Sequence, residues 1–233
     1  IFSFVVTNLI FPKLSRANAS DNREEAQQLV MTSLKAIAII ILPLTAGFIL
    51  LSNPVTSLIY EHGEFTADKV VIVSQALSCY SIGMLGLAVN EILSKSFFSM
   101  QDSKTPMINS IISMVFNIVL AYILFNFLHV NGLALAAAGG SICNAVLNAV
   151  CIAKKCPGTV RAGDFGSIAK IVVSTLIMAA AVYGVYHLTA GSFAGFAGNV
   201  VVLAACGITG IAVYGALLWV LKVEEIRSLL NRK

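Results

Sequence analysis

Apolar residues in this chain arrive in long unbroken runs rather than in strand-like alternation. A hydrocarbon core about 30 Å thick needs about 20 consecutive apolar residues of helix to cross it. Six runs meet that length: residues 34–52, 70–94, 107–128, 133–153, 168–188 and 200–221. Only helices or closed barrels satisfy their own backbone inside lipid. The runs therefore predict an all-α, polytopic transmembrane helix bundle. Ahead of them, IFSFVVTNLIF (residues 1–11) is apolar but too short to span, and it lacks the basic start and small-residue cleavage pattern of a signal peptide. It reads as the end of a further helix, giving one partial plus six complete spans.

Polar punctuation sharpens the boundaries. DNREEAQQLVMTSLK (residues 21–35) reads as an amphipathic lead-in to the first complete span, capped by Asp21 or Ser20, with Glu24 and Glu25 favoured by the helix dipole. Pro43 interrupts that span and predicts a kink, tolerated where a neighbouring helix or water satisfies the carbonyl it frees. Asn53-Pro54 opens a re-entrant or interfacial segment ending in EHGEF (residues 61–65), with Gly63 at the turn and Thr66 as the next cap. QDSKTP (residues 101–106) is a short turn begun by Asp102 or Ser103, with Pro106 in the first helical turn. CPGTVRAGD (residues 156–164) is the clearest internal boundary, separating a unit at residues 1–153 from a linker plus two-helix hairpin at 154–233. Gly83, Gly86, Gly139 and Gly140 are suited to close helix approach.

The loops orient the bundle. Lys13, Arg16, Arg23, Lys35, Lys95, Lys104, Lys154, Lys155, Arg161, Lys170, Lys222, Arg227, Arg232 and Lys233 all fall on one side of the alternating spans. Lys69 alone falls on the other, with Glu61, Glu64, Asp68 and the histidines His62, His129 and His187. The positive-inside bias predicts that the basic side and the C-terminus are cytoplasmic. Phe97, Phe98 and Trp219 are expected in interfacial aromatic belts.

Composition agrees. The 233 residues are 58% hydrophobic and 11% charged, well below the charge of a water-soluble domain, at about 25%. The formal charge of +4 orients spans rather than pointing to nucleic acid. Cys79, Cys143, Cys151, Cys156 and Cys206 form no CxxC pair and read as free thiols acting as small hydrophobes. No HExxH, GxSxG, Walker A or Gly-rich nucleotide loop is present. The short acidic loop 61–68 has no accompanying domain to hold a sugar nucleotide. A transporter is expected rather than an enzyme, with no cofactor or metal called for.

Membrane-depth polar residues are candidates for function because lipid penalises them. Glu91 is the only carboxylate inside an expected span, and Lys95 follows it on the same helix face. The two form either a self-neutralising pair or part of a substrate or ion path. Asn90 points about 100° away from Glu91. Asn117 sits mid-span, and Asn144 and Asn148 share a face; such amides serve as interhelical hydrogen-bond glue or line a polar cavity.

Four stretches then carry a resemblance: FPKLSR (residues 11–16), LIYEHGEFTAD (58–68), YSIGMLG (80–86) and FFSMQDSKTP (97–106). In order and spacing the chain resembles the MurJ/MviN family of lipid II flippases, in the MATE-like exporter superfamily. The resemblance implies a fourteen-helix protein of two six-helix lobes followed by two extra helices. This chain would begin within the eighth helix, with residues 1–153 forming most of the second lobe. A twelve-helix drug exporter would have two spans after the QDSKTP turn, where four are expected here. The implied substrate is undecaprenyl-pyrophosphate-linked disaccharide-pentapeptide, moved across the bacterial inner membrane by alternating access, with membrane lipids as the other partners. The extra helices are implied to form a groove for the lipid tail. The family's cavity arginines fall upstream of Ile1. Some relatives bind sodium through helices seven, eleven and twelve. Asn117 matches an asparagine there, whereas Ala121 supplies no carboxylate one turn later, so a coupling cation stays open. Position 91 is basic in some relatives, so no role for Glu91 is inherited. Glu91, Lys95, Asn90 and Asn117 are the substrate or cavity candidates. Another polyprenyl-glycan flippase, a drug exporter or a non-transporting scaffold of cell-wall assembly are the rival readings.

Overall fold

A computed structural model describes residues 2–60, 67–157, 162–189 and 195–221. The EHGEF loop with His62, the cap expected at Thr66, Arg161 and the basic residues from Lys222 onward lie outside the described residues. The fold is all-helical: α1 (Phe2–Ala19), α2 (Arg23–Leu50), α3 (Ser52–Tyr60), α4 (Ala67–Ile82), α5 (Met84–Ser99), α6 (Lys104–Lys155), α7 (Ala162–Thr189) and α8 (Gly195–Val220).

The lead-in and the first complete span form one helix, α2, whose cap differs from the sequence expectation. Ser20 donates back to the Arg16 and Ala17 carbonyls, and Asp21 takes a left-handed φ of 52°, so both belong to the end of α1. Asn22 becomes the cap: its side chain accepts from the Glu25 amide at 3.3 Å and donates to the Glu25 carboxylate at 3.0 Å. The pairing of cap and third helical residue is akin to a capping box.

The run 70–94 is built from α4 and α5, joined at Gly83. The two runs 107–128 and 133–153 are the arms of α6, whose 52 residues would measure about 78 Å if straight, more than twice the hydrocarbon core. His129 breaks it, with φ 49° and ψ −123°. The arms fold back antiparallel: Asn109 meets Asn148, Asn117 meets Gly140, and Leu124 meets Gly132. A Cβ on Gly132 would lie 2.4 Å from the Leu124 carbonyl oxygen, so only glycine permits a reversal this tight. Close approach recurs where α4 and α5 meet the second arm of α6. A Cβ on Gly83 would lie 2.6 Å from the Ala138 Cα, and one on Gly86 would lie 2.8 Å from the Ile142 nitrogen.

Among the described residues, Arg23 and Lys155 line a common space enclosed by the α1–α2 turn, the α5–α6 turn and the end of α6. Asp102 settles the start of α6, accepting from both the Thr105 amide (3.1 Å) and the Thr105 hydroxyl (2.6 Å) while pairing with Lys155 from the far arm. Lys155 and Thr105 together hold the Asp102 carboxyl down to about 2. Phe97 is fully buried instead of sitting in an aromatic belt, because Leu14, Val30, Leu93 and Ile152 enclose it in the core of α1, α2, α5 and α6. Phe98 and Trp219 stay exposed.

Because folding lowers the Asp102 pKa, its contribution is complete above its ordinary value of 3.8 and is lost as pH falls towards about 2. Asp102→Asn is expected to lower the melting temperature of the purified protein at pH 7. The gap from the unsubstituted protein should close between about pH 4 and pH 2. A gap that is constant over that range would rule out the charge as its source.

Candidate functional site

Three features of the apolar helices are the candidates for function: an asparagine seam, the Glu91–Lys95 face and an apolar groove.

The seam centres on Asn148, which is 0% exposed. Its amide nitrogen donates to Asn90 Oδ1 at 2.6 Å and to Asn144 Oδ1 at 3.3 Å, while its oxygen accepts from Asn109 Nδ2 at 2.8 Å. Asn144 continues to the Ser110 hydroxyl at 3.3 Å, and Ser94 donates to Asn90 at 3.4 Å. Both donors of Asn148 and one of its acceptor positions are therefore used, and α5 is tied to both arms of α6 at one level. The glue reading of Asn148 holds. Asn90, a cavity candidate by sequence, spends its oxygen on this seam. Asn109 and Ser110 escape sequence reasoning. The available signal is the polar spacing Asn109, Ser110, Ser113 on an otherwise apolar run.

Asn117 packs against Gly140, where a glycine Cβ would lie 2.8 Å from the Asn117 Cβ. Its amide stands apart from the seam. Glu91 is half-buried on α5. Lys95 places its ammonium 5.3 Å from the Phe11 ring centroid, a cation–π contact linking α5 to α1. Lys95 also borders a pocket of about 10 Å³ with Thr7, Ile10 and Ser33, scarcely room for one water. The larger polar cavity, about 660 Å³, opens at the basic end and is lined by Asn18, Arg23, Gln27, Gln101 and Lys155. Glu91, Asn90 and Asn117 do not border it.

The groove lies where the α7–α8 hairpin packs on α2. It encloses about 490 Å³ and is lined by Pro43, Leu44, Gly47 and Phe48 from α2, and by Met178, Val182, Gly207, Gly210, Ile211, Tyr214 and Gly215 from the hairpin. A Cβ added at Gly47, Gly207 or Gly215 meets nothing within 4 Å. These glycines are not packing contacts; they leave the groove wide. Gly210 differs, since its Cβ would lie 3.3 Å from Val182 and its place is set by the α7–α8 contact.

The expected neighbour for the carbonyl freed by Pro43 is also present. Proline at 43 removes the N–H that Ile39 would otherwise receive. The Tyr214 hydroxyl of α8 donates to the Ile39 carbonyl at 2.8 Å. Sequence predicts the need for such a donor and cannot name Tyr214, which lies 175 residues away.

Such an arrangement, with amides buried in helix seams and several helices long and apolar enough to cross a membrane, defines a polytopic helical membrane protein. The chain belongs to the lipid II flippase MurJ family, whose family model matches residues 1–203. It is 30% identical over 190 residues to the probable lipid II flippase MurJ of Rhizobium meliloti (strain 1021), covering 78% of this chain and 34% of that protein. It is 25% identical over 219 residues to the lipid II flippase MurJ of Burkholderia cenocepacia, covering 91% of this chain and 42% of that protein. Its fold matches a lipid II flippase MurJ structure in an inward closed conformation with a TM-score of 0.78 at 25% identity, covering 99% of this chain and 44% of the other. The chain thus spans well under half the length of these relatives.

Asn148→Ala removes three seam bonds, to Asn90, Asn109 and Asn144, leaving Asn90 with the Ser94 hydroxyl at 3.4 Å and Asn109 with the Cys151 thiol at 3.5 Å, and is expected to destabilise the protein by about 1–2 kcal/mol. Asn117→Ala, which breaks no seam bond, should cost clearly less. Unfolding of both variants in detergent by denaturant titration measures the difference, and equal losses would remove Asn148 from its central place.

Proposed function

We propose that the full-length protein moves a polyprenyl-pyrophosphate-linked glycopeptide, lipid II, from the inner to the outer leaflet of the bacterial inner membrane. In this reading residues 1–153 form most of the second lobe and residues 154–233 the linker and hairpin, with the basic end and the C-terminus in the cytoplasm. What supports that orientation is the placement of fourteen of the fifteen lysines and arginines in alternate connections of the sequence.

The physical problem is a mismatched substrate. Charges at the bilayer centre cost about 2.5–3.5 kcal/mol each even on insertion scales. A pyrophosphate with sugars therefore needs a polar path, while its hydrocarbon tail is at home in lipid. Rocking two lobes about a central cavity exposes the head group first to one side and then to the other. Glu91 and Lys95 contribute charge to the second lobe's side of that path, with Asn90 and Asn117 as polar neighbours, and a cation is a candidate for coupling.

The observation that carries the proposal is the groove with its three open glycines. Glycine within a helix costs about 1 kcal/mol relative to alanine. At Gly47, Gly207 and Gly215 no close neighbour offsets that cost. What the missing side chains provide is space. A groove of about 490 Å³ is of a size to hold a drug-sized molecule, so it would grip one stretch of a long chain and leave the remainder in the bilayer. Lipid already solvates the chain, so shape and dispersion rather than apolar burial would discriminate. The four crossings that follow the QDSKTP turn, two in α6 and one each in α7 and α8, favour this reading over a drug exporter, for which two are expected.

Gly207→Leu and Gly47→Leu fill the groove without meeting a neighbour at Cβ. Each is expected to leave abundance and melting temperature near those of the unsubstituted full-length protein while slowing head-group translocation at least several-fold in reconstituted vesicles. Unchanged translocation with both substitutions would remove the groove from the mechanism. For the polar path, Glu91→Ala should fail to support growth of a flippase-depleted strain at normal protein levels, and normal growth would reject a functional role for Glu91.

A further inference from the structure

We infer that Tyr214 is a positioning residue that sets the bend of α2 and thereby the shape of the groove. The inference rests on reading the groove as the surface that holds the substrate's hydrocarbon chain.

Pro43 gives α2 a permanent gap in its hydrogen-bond ladder, leaving the Ile39 carbonyl without its own helix's donor. Within lipid no water competes for that carbonyl, so its orientation follows whichever protein donor reaches it. The donor is the Tyr214 hydroxyl at 2.8 Å. Tyr214 is 9% exposed, and its ring packs with Met178, Val182 and Cys206 in the core of the hairpin. The hydroxyl therefore projects from a packed body onto the point of α2 where Pro43 interrupts the hydrogen-bond ladder.

The same two residues, Pro43 and Tyr214, line the groove. The wall formed by Leu44, Gly47 and Phe48 is the part of α2 just beyond the proline. A change of bend at Pro43 swings this wall against the hairpin and alters the width of the groove. Polar links flank the bend at both ends. Lys35 pairs with Asp164 at 2.8 Å towards the basic end, and Asn199 donates to the Ser57 hydroxyl at 3.0 Å on α3. Between these pins the Tyr214 bond acts beside the packing of Ala46, Leu50 and Leu51 on the hairpin, and it is the polar contact that meets α2 at its broken ladder.

Pro43→Ala and Tyr214→Phe form a double-mutant cycle that separates this role from simple docking. Replacing the proline by alanine restores the N–H that bonds Ile39 within the helix, which makes the tyrosine hydroxyl redundant. In the full-length protein, Tyr214→Phe is expected to lower Tm by a few degrees when Pro43 is present and to leave it unchanged in the Pro43→Ala background. An equal loss of Tm in both backgrounds overturns the bond as the partner of the freed carbonyl.

Translocation in vesicles supplies the second readout, using a long-chain polyprenyl-pyrophosphate glycopeptide and an analogue whose short chain does not reach the groove. Tyr214→Phe should slow the long-chain substrate several-fold and the short-chain analogue much less. The double variant, with Tm restored but the bend lost, should remain slow on the long chain. If the double variant regains the rate along with the stability, Tyr214 is a structural tie and the positioning role is overturned. A wild-type protein that moves neither substrate overturns the transport reading itself, whereas the thermal cycle still decides whether the bond exists.

Discussion

Inside about 30 Å of hydrocarbon, a backbone or side-chain polar atom that helix geometry leaves over must find its partner within the protein. Much of this chain's architecture follows from how it meets that demand. Proline at 43 leaves the Ile39 carbonyl open in α2, and Tyr214 reaches it from α8. Four asparagines within apolar helices converge on one another, so that Asn148 is bonded at both its donors and its oxygen while fully buried. The α6 reversal at His129 is closed instead by Gly132, where any Cβ would meet the Leu124 carbonyl.

Glycine serves two opposed purposes in the bundle. At Gly83, Gly86, Gly132 and Gly140 it brings backbones together, with any Cβ meeting a neighbour at less than 3 Å. Association in lipid depends on van der Waals fit and interhelical hydrogen bonds rather than on burial from water, so this closeness is a direct source of stability. Where Gly86 lets α5 approach α6, the amides of Asn90 and Asn148 come within bonding range one turn further along. At Gly47, Gly207 and Gly215 the missing side chain keeps α2 and the hairpin apart at the surface. Whether a glycine joins or separates depends on which residue faces it, which no local pattern encodes.

That difference explains what is legible in the sequence. The number and extent of the long apolar helices can be read because length and hydropathy are properties of single segments. The start of α6 at Asp102 is also local, resting on the spacing from Asp102 to Thr105. The cap of α2 falls at Asn22 rather than at Ser20 or Asp21, since all three are good caps and the end of α1 consumes the first two. Phe97 is expected at the interface because an aromatic near a helix end is ambiguous until its neighbours are known, and here Leu14 and Ile152 enclose it. Of the seam's amides, Asn148 announces itself as glue through its spacing from Asn144, whereas Asn109 does not. Neither the seam nor the groove can be assembled without knowing which helices lie side by side.

The hairpin's dependence on α2 bears on how a flexible tail and a polar head can be moved together. Contacts at three heights tie the hairpin to α2 and its continuation α3: Lys35 with Asp164, Ile39 with Tyr214, and Ser57 with Asn199. Sliding α2 past the hairpin by one helical turn, about 5.4 Å, would break all three at once. If Tyr214 positions α2 as inferred, an opening about Pro43 between the outer two contacts is the motion that would preserve both of them. Under the transport reading, the groove would travel with the second lobe as that lobe rocks, and a chain lying in it would feel the lobe's movement as a change in groove width. A tail held this way need not cross the membrane as a rigid rod. In that reading it would pivot in lipid about the gripped stretch while the head group, the part that lipid excludes, followed the proposed polar path.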